Sequence, residues 1–423
     1  MCNEVQTVHA LTAYGRGFNA IVAPAEMKPL AESNCTFCGQ CVSVCPTAAL
    51  TGHGYIQETW AALFDPTKTV VVEVAPAIRA AIGEEFGIPV GTPVTGKLVA
   101  GLRRLGFNAV FDTTFGADLT VVEEAKEIIE RVTKNENLPI LTSCCPGWIN
   151  FLKYQFPSLK YMPSSCKSPQ QIMGTVAKTF YAGKIGVKPE DMIVISVMPC
   201  LAKKYEAARP EHCTSGARDV DYVITTRELA KMLKEGGIDL RHMDDEAFDS
   251  PLGESTGAGV IFGATGGVLE AALRTVYEEV TGKELADVKF EAVRGLKDVR
   301  EAMIDLEGKT VNVAVASGLG NARKILENIE NGTSKYEVIE IMACPGGCIN
   351  GGGQPYSQER LETIQARTQA LYQIDDKAAM RNSHENPSVV KLYEEFLGEP
   401  GGHKAHELLH TQYWYYWTLN NGD

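Results

Sequence analysis

The chain has no run of 18 or more apolar residues, and its first twenty residues lack the basic start and apolar stretch of a secretory leader. Those absences argue against a membrane-spanning helix and an export signal, so a cytoplasmic protein with no membrane partner is expected. A basic surplus is missing too: 40 Lys and Arg face 53 Asp and Glu, for a net charge of −13. Nucleic acid is therefore not an expected partner, because phosphate neutralisation needs a basic footprint. No short-period repeat or low-complexity tract interrupts the sequence. With 423 residues, 44% of them hydrophobic, the chain can bury one large core or fold as two to three domains.

Cysteine, by contrast, is plentiful. Twelve occur, at positions 2, 35, 38, 41, 45, 144, 145, 166, 200, 213, 344 and 348. In a reducing compartment such a set reads as metal ligands or catalytic thiols rather than disulfides. Residues 35–46, CTFCGQCVSVCP, have the C-x2-C-x2-C-x3-C-P spacing of ferredoxin-type iron–sulfur sites, whereas a structural zinc site usually presents two separated pairs. In two-cluster ferredoxins the fourth Cys of such a run serves the other cluster. Cys35, Cys38 and Cys41 then need a thiol from elsewhere, and Cys2 is the candidate; Cys45 as fourth ligand is the simpler alternative.

Beyond residue 60, strand-like runs (TVVVEVAP, NAVFDTT, LPILTSCC, MIVISVMPC, VDYVITT, TVNVAVASG, YEVIEIMACPGG) alternate with helical stretches such as AIRAAIGEEFG and DLTVVEEAKEIIERVTKN. This is an α/β pattern with largely parallel sheets. Three of the strands run into cysteines: Cys144 with Cys145, Cys200, and Cys344 with Cys348. Ligands collect beyond the carboxyl ends of parallel strands, so these groups can converge on one site. Cys145, Cys200, Cys344 and Cys348 make the four thiolates of a cubane. Cys144 is left over, facing the opposite way from its neighbour if both lie on a strand. It reads either as a buried inert thiol or as a proton carrier.

TSCCPGW (142–148), MPCLAKKYE (198–206) and EIMACPGGCINGGGQP (340–355) resemble the three signature motifs of [FeFe]-hydrogenases. The likeness extends from about residue 1 to the C-terminus, including the ferredoxin-like run and the closing KAHELLHTQY. The resemblance implies a two-lobed α/β catalytic domain over residues 61–372, with the metal site between its lobes. A small ferredoxin-like domain (1–60) would precede it, and a helical segment (373–423) would wrap around it. It implies an H-cluster, in which a 4Fe–4S cubane on Cys145, Cys200, Cys344 and Cys348 joins through Cys348 to a two-iron unit bearing CO, cyanide and a bridging dithiolate amine. One accessory 4Fe–4S cluster on Cys2, Cys35, Cys38 and Cys41 completes the set.

By the same resemblance Lys203 bonds a cyanide, and Ala75, Pro76 and Pro199 supply backbone or packing around the diatomic ligands. Met198, Met342, Gln170 and Phe262 match further pocket positions. The implied reaction is the reversible reduction of protons to dihydrogen, with Cys144 passing protons to Glu124, Ser164, Glu127 and Arg131. On spacing alone, Glu124, Glu127 and Arg131 would be an ordinary salt-bridged helix face. Implied partners are a ferredoxin or similar low-potential electron carrier and the maturation proteins that build the two-iron unit.

The alternatives are a subunit of an electron-bifurcating hydrogenase and a hydrogenase-like iron–sulfur assembly protein without the two-iron unit. The chain resembles a longer relative trimmed at its N-terminus, with Cys45 the mark of a lost distal cluster. Cys166 and Cys213 have no expected role, and His403, His406 and His410 are expected on a packed or solvated helix. Gly351, Gly352 and Gly353 are expected to turn the chain away from a crowded site.

Overall fold

The computed structural model describes residues 1–283, 293–294, 299–411 and 413. The end of the chain, including most of the sequence TQYWYYW, lies outside the described residues. Two four-stranded sheets organise the fold. The first has the order β4 (Ala109–Asp112), β3 (Thr69–Val74), β6 (Met192–Met198), β7 (Tyr222–Thr225), all parallel. The second has the order β5 (Ile140–Thr142), β10 (Val338–Met342), β9 (Lys309–Ser317), β8 (Val299–Leu306), parallel except for the β8–β9 hairpin. A small exposed hairpin, β1 (Thr12–Tyr14) and β2 (Ile21–Ala23), sits apart near the N-terminus.

The central strands β3, β6 and β10 are almost continuous in β-branched and apolar residues because helices cover both faces. In the first sheet the chain passes from β3 outward to β4 and returns on the other side to β6. The carboxyl ends of β3 and β6 therefore flank the crevice where the winding reverses, the usual place for a ligand. Ala75 and Pro76 leave β3 there, and Pro199 and Cys200 leave β6. The second sheet delivers Ser143–Cys145 from β5 and Ala343–Cys348 from β10.

Some elements depart from the sequence reading. AIRAAIGEEFG forms two short 3-10 turns, Pro76–Ile78 and Ile82–Phe86, not one helix. Ala77, Ile78, Ala80, Ala81 and Ile82 are fully buried, so tertiary packing overrides local helix preference. The strand read over NAVFDTT stops at Asp112. Its carboxylate accepts from Thr114 N–H at 3.0 Å and caps the long helix Thr113–Lys134. Strand β8, VREAMIDL, escaped the reading because it is a half-exposed edge strand with interleaved acids. The helix Arg360–Lys377 runs through residue 373, where the sequence suggested a boundary. Val389, Leu392, Tyr393, Leu397, Ala405 and Leu409 then join the first sheet's core rather than lying outside it.

The glycines after Cys348 serve close approach, not turning. A Cβ on Gly351 would lie 2.2 Å from Pro199 O, one on Gly352 2.7 Å from the backbone of Gly39, and one on Gly353 2.7 Å from Thr225. Gly353 N–H donates to Pro199 O at 2.7 Å, tying the third motif to the end of β6. Gly351→Ala should therefore cost at least the roughly 1–3 kcal/mol of core overpacking. Gly183→Ala, which meets nothing within 4 Å at a helical position, should be neutral or slightly stabilising. Denaturant unfolding of the two variants checks the contrast.

Candidate active site

At the junction of the two sheets lies a cavity of about 40 Å³, more than one water requires. Its walls include Ala75, Pro76, Cys144, Gln170, Met198, Pro199, Cys200, Lys203, Phe262 and Cys348, ten of the expected site residues. Thr113, Ala117, Pro169 and Gly263 are also on the wall and were not foreseen. Met342 is not among the walls; it is buried beside Ser143, whose Oγ lies 4.0 Å from its sulfur.

Cys145, Cys200 and Cys344 are buried, Cys200 on the cavity wall itself. Cys145 sits at the N-cap of the helix Pro146–Gln155, with Pro146 opening the helix, so the helix dipole favours a thiolate there. Burial pushes the Cys200 thiol up to about 12, with Cys145 adding to the effect. Burial likewise raises Cys145 and drives Cys344 well above the ordinary range, the latter reinforced by Cys200 and Cys145. The neighbouring Cys348 holds the Cys144 thiol below its ordinary range, whereas Cys144 and burial drive Cys348 well above it. Buried thiols that resist ionisation become thiolates when a cation takes the proton's place.

The donor set also bears on nuclearity. Among the described residues, groups of three ligand atoms within 4.8 Å of one another are Glu127–Cys166–His410 and Glu278–His384–Glu385; the expected cluster cysteines form no such group. A single tetrahedral zinc, with Zn–S bonds of about 2.3 Å, would hold its sulfurs closer than that. The wider spacing fits a cluster better than one ion.

Lys203 is buried, and its Nζ lies 2.8 Å from Glu206 Oε2. Burial alone would lower this ammonium, but Glu206 and then Cys144 outweigh it and hold it above its ordinary value. Glu206 also accepts from Ser168 Oγ at 2.9 Å and Gln170 Nε2 at 3.1 Å, so the cation is fixed by a satisfied network.

A second, smaller cavity of about 10 Å³ brings Cys144 and Glu124 together, with Ser164 also on its wall. Burial, aided by the charge of Glu127, pushes Glu124 up to about 7. Ser164 Oγ donates to Glu127 Oε2 at 2.8 Å, and Arg131 Nη2 meets Glu127 Oε1 at 2.6 Å. Arg131 also donates to Met162 O and Pro163 O. Glu127 and Arg131 open onto a third cavity of about 240 Å³.

In the N-terminal loop, Cys2 is near enough to raise both Cys35 and Cys41, each of which is raised first by burial. Cys35 reaches about 11 and Cys38 about 12. Cys45 differs: hydrogen bonds led by Leu50 N–H and Thr47 bring it down to about 7. Cys38 in turn bears on Cys344. Gln40 Nε2 donates to Cys344 Sγ at 3.1 Å and to Asn350 O at 2.8 Å, an unforeseen link between the loop and the site. Gly147 allows the approach, since a Cβ there would lie 3.3 Å from Thr36 O and 3.6 Å from Cys38 Cβ.

Another missed residue is Glu73. A lone acid inside VVVEVAP was the available signal. Thr113 Oγ1 donates to its Oε2 at 2.8 Å, while Oε1 has no protein partner among the described residues. Burial pushes this carboxyl up to about 8. The folded state therefore holds a proton that the unfolded chain releases near 4.5. The stabilisation is present below about 4.5 and is lost as pH rises toward about 8. Glu73→Gln should flatten that decline, by a few kcal/mol at about pH 8, in guanidinium midpoints measured from about pH 5 to about pH 9.

Comparison with known proteins completes the description. Residues 68–352 match the family described as iron only hydrogenase large subunit, C-terminal domain, residues 361–414 the iron hydrogenase small subunit, and residues 30–51 a 4Fe-4S binding domain. The chain is 54% identical over 419 residues to the NADP-reducing hydrogenase subunit HndD of Solidesulfovibrio fructosivorans, covering 98% of this chain and 72% of that one. It is 44% identical to iron hydrogenase 1 of Clostridium pasteurianum, covering 87% of this chain and 65% of the relative, so it spans only part of both proteins' length. Among solved structures, a variant of apo [FeFe]-hydrogenase HydA1 from Chlamydomonas reinhardtii superposes with a TM-score of 0.76 at 45% identity, over 85% of this chain and 98% of that one.

Proposed function

Because the chain belongs to the iron-only hydrogenase family of oxidoreductases, we propose that it interconverts protons and dihydrogen at an H-cluster, fed by one accessory 4Fe–4S cluster. The observation that carries this reading is the single cavity on which Cys144, Cys200, Cys348 and Lys203 converge from two sheets. Cys145, Cys200, Cys344 and Cys348 would hold the cubane, and Cys348 would also serve the two-iron unit. When bound, that group supplies the metal centre at which two protons and two electrons combine.

The chain's own residues do the rest. Lys203, held by Glu206, offers an ammonium to an anionic cyanide ligand. Ala75, Pro76 and Pro199 shape the wall, Gln170 braces Glu206, and Phe262 and Met198 keep water out. Cys144 gives and takes the proton at its Sγ. Glu124, titrating near neutrality, can hold that proton or release it. Ser164, Glu127 and Arg131 then connect it to the outer cavity. Cys2, Cys35, Cys38 and Cys41 would hold the accessory cluster that supplies electrons, and Gln40, which donates to Cys344 Sγ, links that loop to the cubane site.

In domain terms, residues 1–60 would be the electron-entry unit and 61–372 the bulk of the catalytic unit, to whose core the described residues after 373 also belong. The twelve free thiols suit a reducing, cytoplasmic setting, and no helix among the described residues is long and apolar enough to cross a membrane. The electron donor in this reading is a ferredoxin-type carrier, and maturation proteins supply the two-iron unit. A second reading, favoured by 54% identity to a subunit of an NADP-reducing hydrogenase, makes the donor a partner subunit of an electron-bifurcating complex. An assembly protein without the two-iron unit would have no use for Cys144 and the braced Lys203 at one cavity.

Cys144→Ser and Glu124→Gln should each lower turnover of the maturated protein by at least about 100-fold while leaving its infrared CO and cyanide bands in place. Full activity in either would defeat the relay, and absent bands in the maturated parent would defeat the H-cluster. For the accessory site, Cys2→Ala should lose about four irons per chain and Cys45→Ala none. The reverse result would make Cys45 the ligand.

A further inference from the structure

Beside the outer cavity stands a group of side chains that the proposed relay does not use as a unit. Glu127, Cys166 and His410 place a carboxylate oxygen, a thiol and a ring nitrogen within 4.8 Å of one another. Cys166 Sγ lies 3.9 Å from Glu127 Oε2 and 3.9 Å from His410 Nδ1. Carboxylate, thiolate and imidazole are the ligand types that zinc takes, and three protein ligands plus an open position make a common site.

The backbone holds the two halves of this group in register. Residues 165–167 pair with 409–411 through Lys167 N–H to Leu409 O at 2.8 Å and Thr411 N–H to Ser165 O at 2.7 Å, an antiparallel bridge centred on Cys166 and His410. The outer ring of partners is also in place. His410 Nε2 lies 2.9 Å from Glu123 Oε2, and Glu123 is itself held by Tyr393 Oη and by Gly401 N–H. A carboxylate on the far nitrogen is the usual partner of a metal-bound histidine, because it fixes the tautomer and turns the other nitrogen to the ion. Here that other nitrogen, Nδ1, faces Ser165 Oγ at 2.8 Å and Cys166.

Access and charge agree with a cation. The 240 Å³ cavity is lined by Glu127 and His410 together with Glu123, Glu130, Glu136 and His406. Arg131, Lys126 and Lys134 also line it, and Arg131 is engaged by the Oε1 of Glu127, while Oε2 faces Cys166 and accepts from Ser164 Oγ and Ser165 N–H. A water-sized ligand from the cavity can fill the fourth position.

We propose that Glu127, Cys166 and His410 bind a divalent cation of the zinc class, and that the bound ion closes the outer end of the proton route. The second half rests on the relay reading above; the first does not. With the ion in place, one lone pair of Glu127 Oε2 goes to the metal; Ser165 N–H is fixed by the backbone, so the rotatable Ser164 hydroxyl is the donor displaced. The chain of hydrogen bonds to the outer cavity is then broken at that oxygen.

The test uses the full maturated chain with zinc chloride as the probe. Zinc content after desalting, and zinc-edge X-ray absorption, should show one retained ion with one sulfur neighbour at about 2.3 Å. Cys166→Ala and, separately, His410→Ala should weaken zinc retention at least roughly tenfold. Retention of the same ion and sulfur neighbour in Cys166→Ala overturns the site, as does failure of the parent to retain zinc. Hydrogen evolution with and without zinc, compared within each protein, should fall in the parent, recover with chelator, and be insensitive in both variants. Zinc held at the site with turnover undiminished overturns the closure and counts against the Glu127 route, while leaving the binding site standing.

Discussion

The hydrogen bond from Gly353 N–H to Pro199 O is the seam on which the site depends. Two largely parallel sheets, each with its own core, must bring their carboxyl ends within reach of one another. Neither can do so if side chains stand between them. The chain meets that constraint by removing Cβ atoms where backbone meets backbone, at Gly351 against Pro199 and at Gly352 against Gly39. Cysteines from β5, β6 and β10 can then face a common centre, and the ferredoxin-like loop can rest against the same seam.

Around that seam, charge is placed where it is expensive and then balanced. Lys203 is kept cationic by Glu206, which Ser168 and Gln170 hold in turn. Glu73 and Glu124 are dominated by burial and drift upward, so at neutral pH they are wholly or partly protonated. The difference separates a fixed charge, suited to holding an anion, from carboxyls suited to carrying a proton. A larger buried network, Arg274 with Glu270 and Asp375, ties the helix Gly267–Thr281 to the helix Arg360–Lys377.

Much of this was legible in the sequence, and for physical reasons. Strands β3, β6 and β10 are buried on both faces and spell it in β-branched residues. The cysteines expected as ligands sit at turns that strand ends must have. Of the ten expected site residues that line one cavity, six come from the three motifs, four of them from MPCLAKKYE alone, and Ala75, Pro76, Gln170 and Phe262 come from elsewhere in the chain. Edge strand β8 and the broken turns at 76–86 were not legible, since exposure and tertiary packing, rather than local pattern, decide them. Glu73, Gln40 and Glu206 were missed because each acts through a partner distant in sequence or hidden in an ordinary motif. Met342, matched by motif alone, lies off the cavity wall. The glycines of the third motif were noticed, but their purpose, contact rather than turning, depends on what stands opposite them.

The bridge between residues 165–167 and 409–411 has a consequence in time. His410 is made 245 residues after Ser165, which at ordinary rates of synthesis is roughly 12–50 s. For that interval residues 165–167 lack this partner, and the outer cavity lacks the His406 and His410 that line it. The outer cavity thus waits for a late stretch of chain, the same stretch that gives Ala405 and Leu409 to the core.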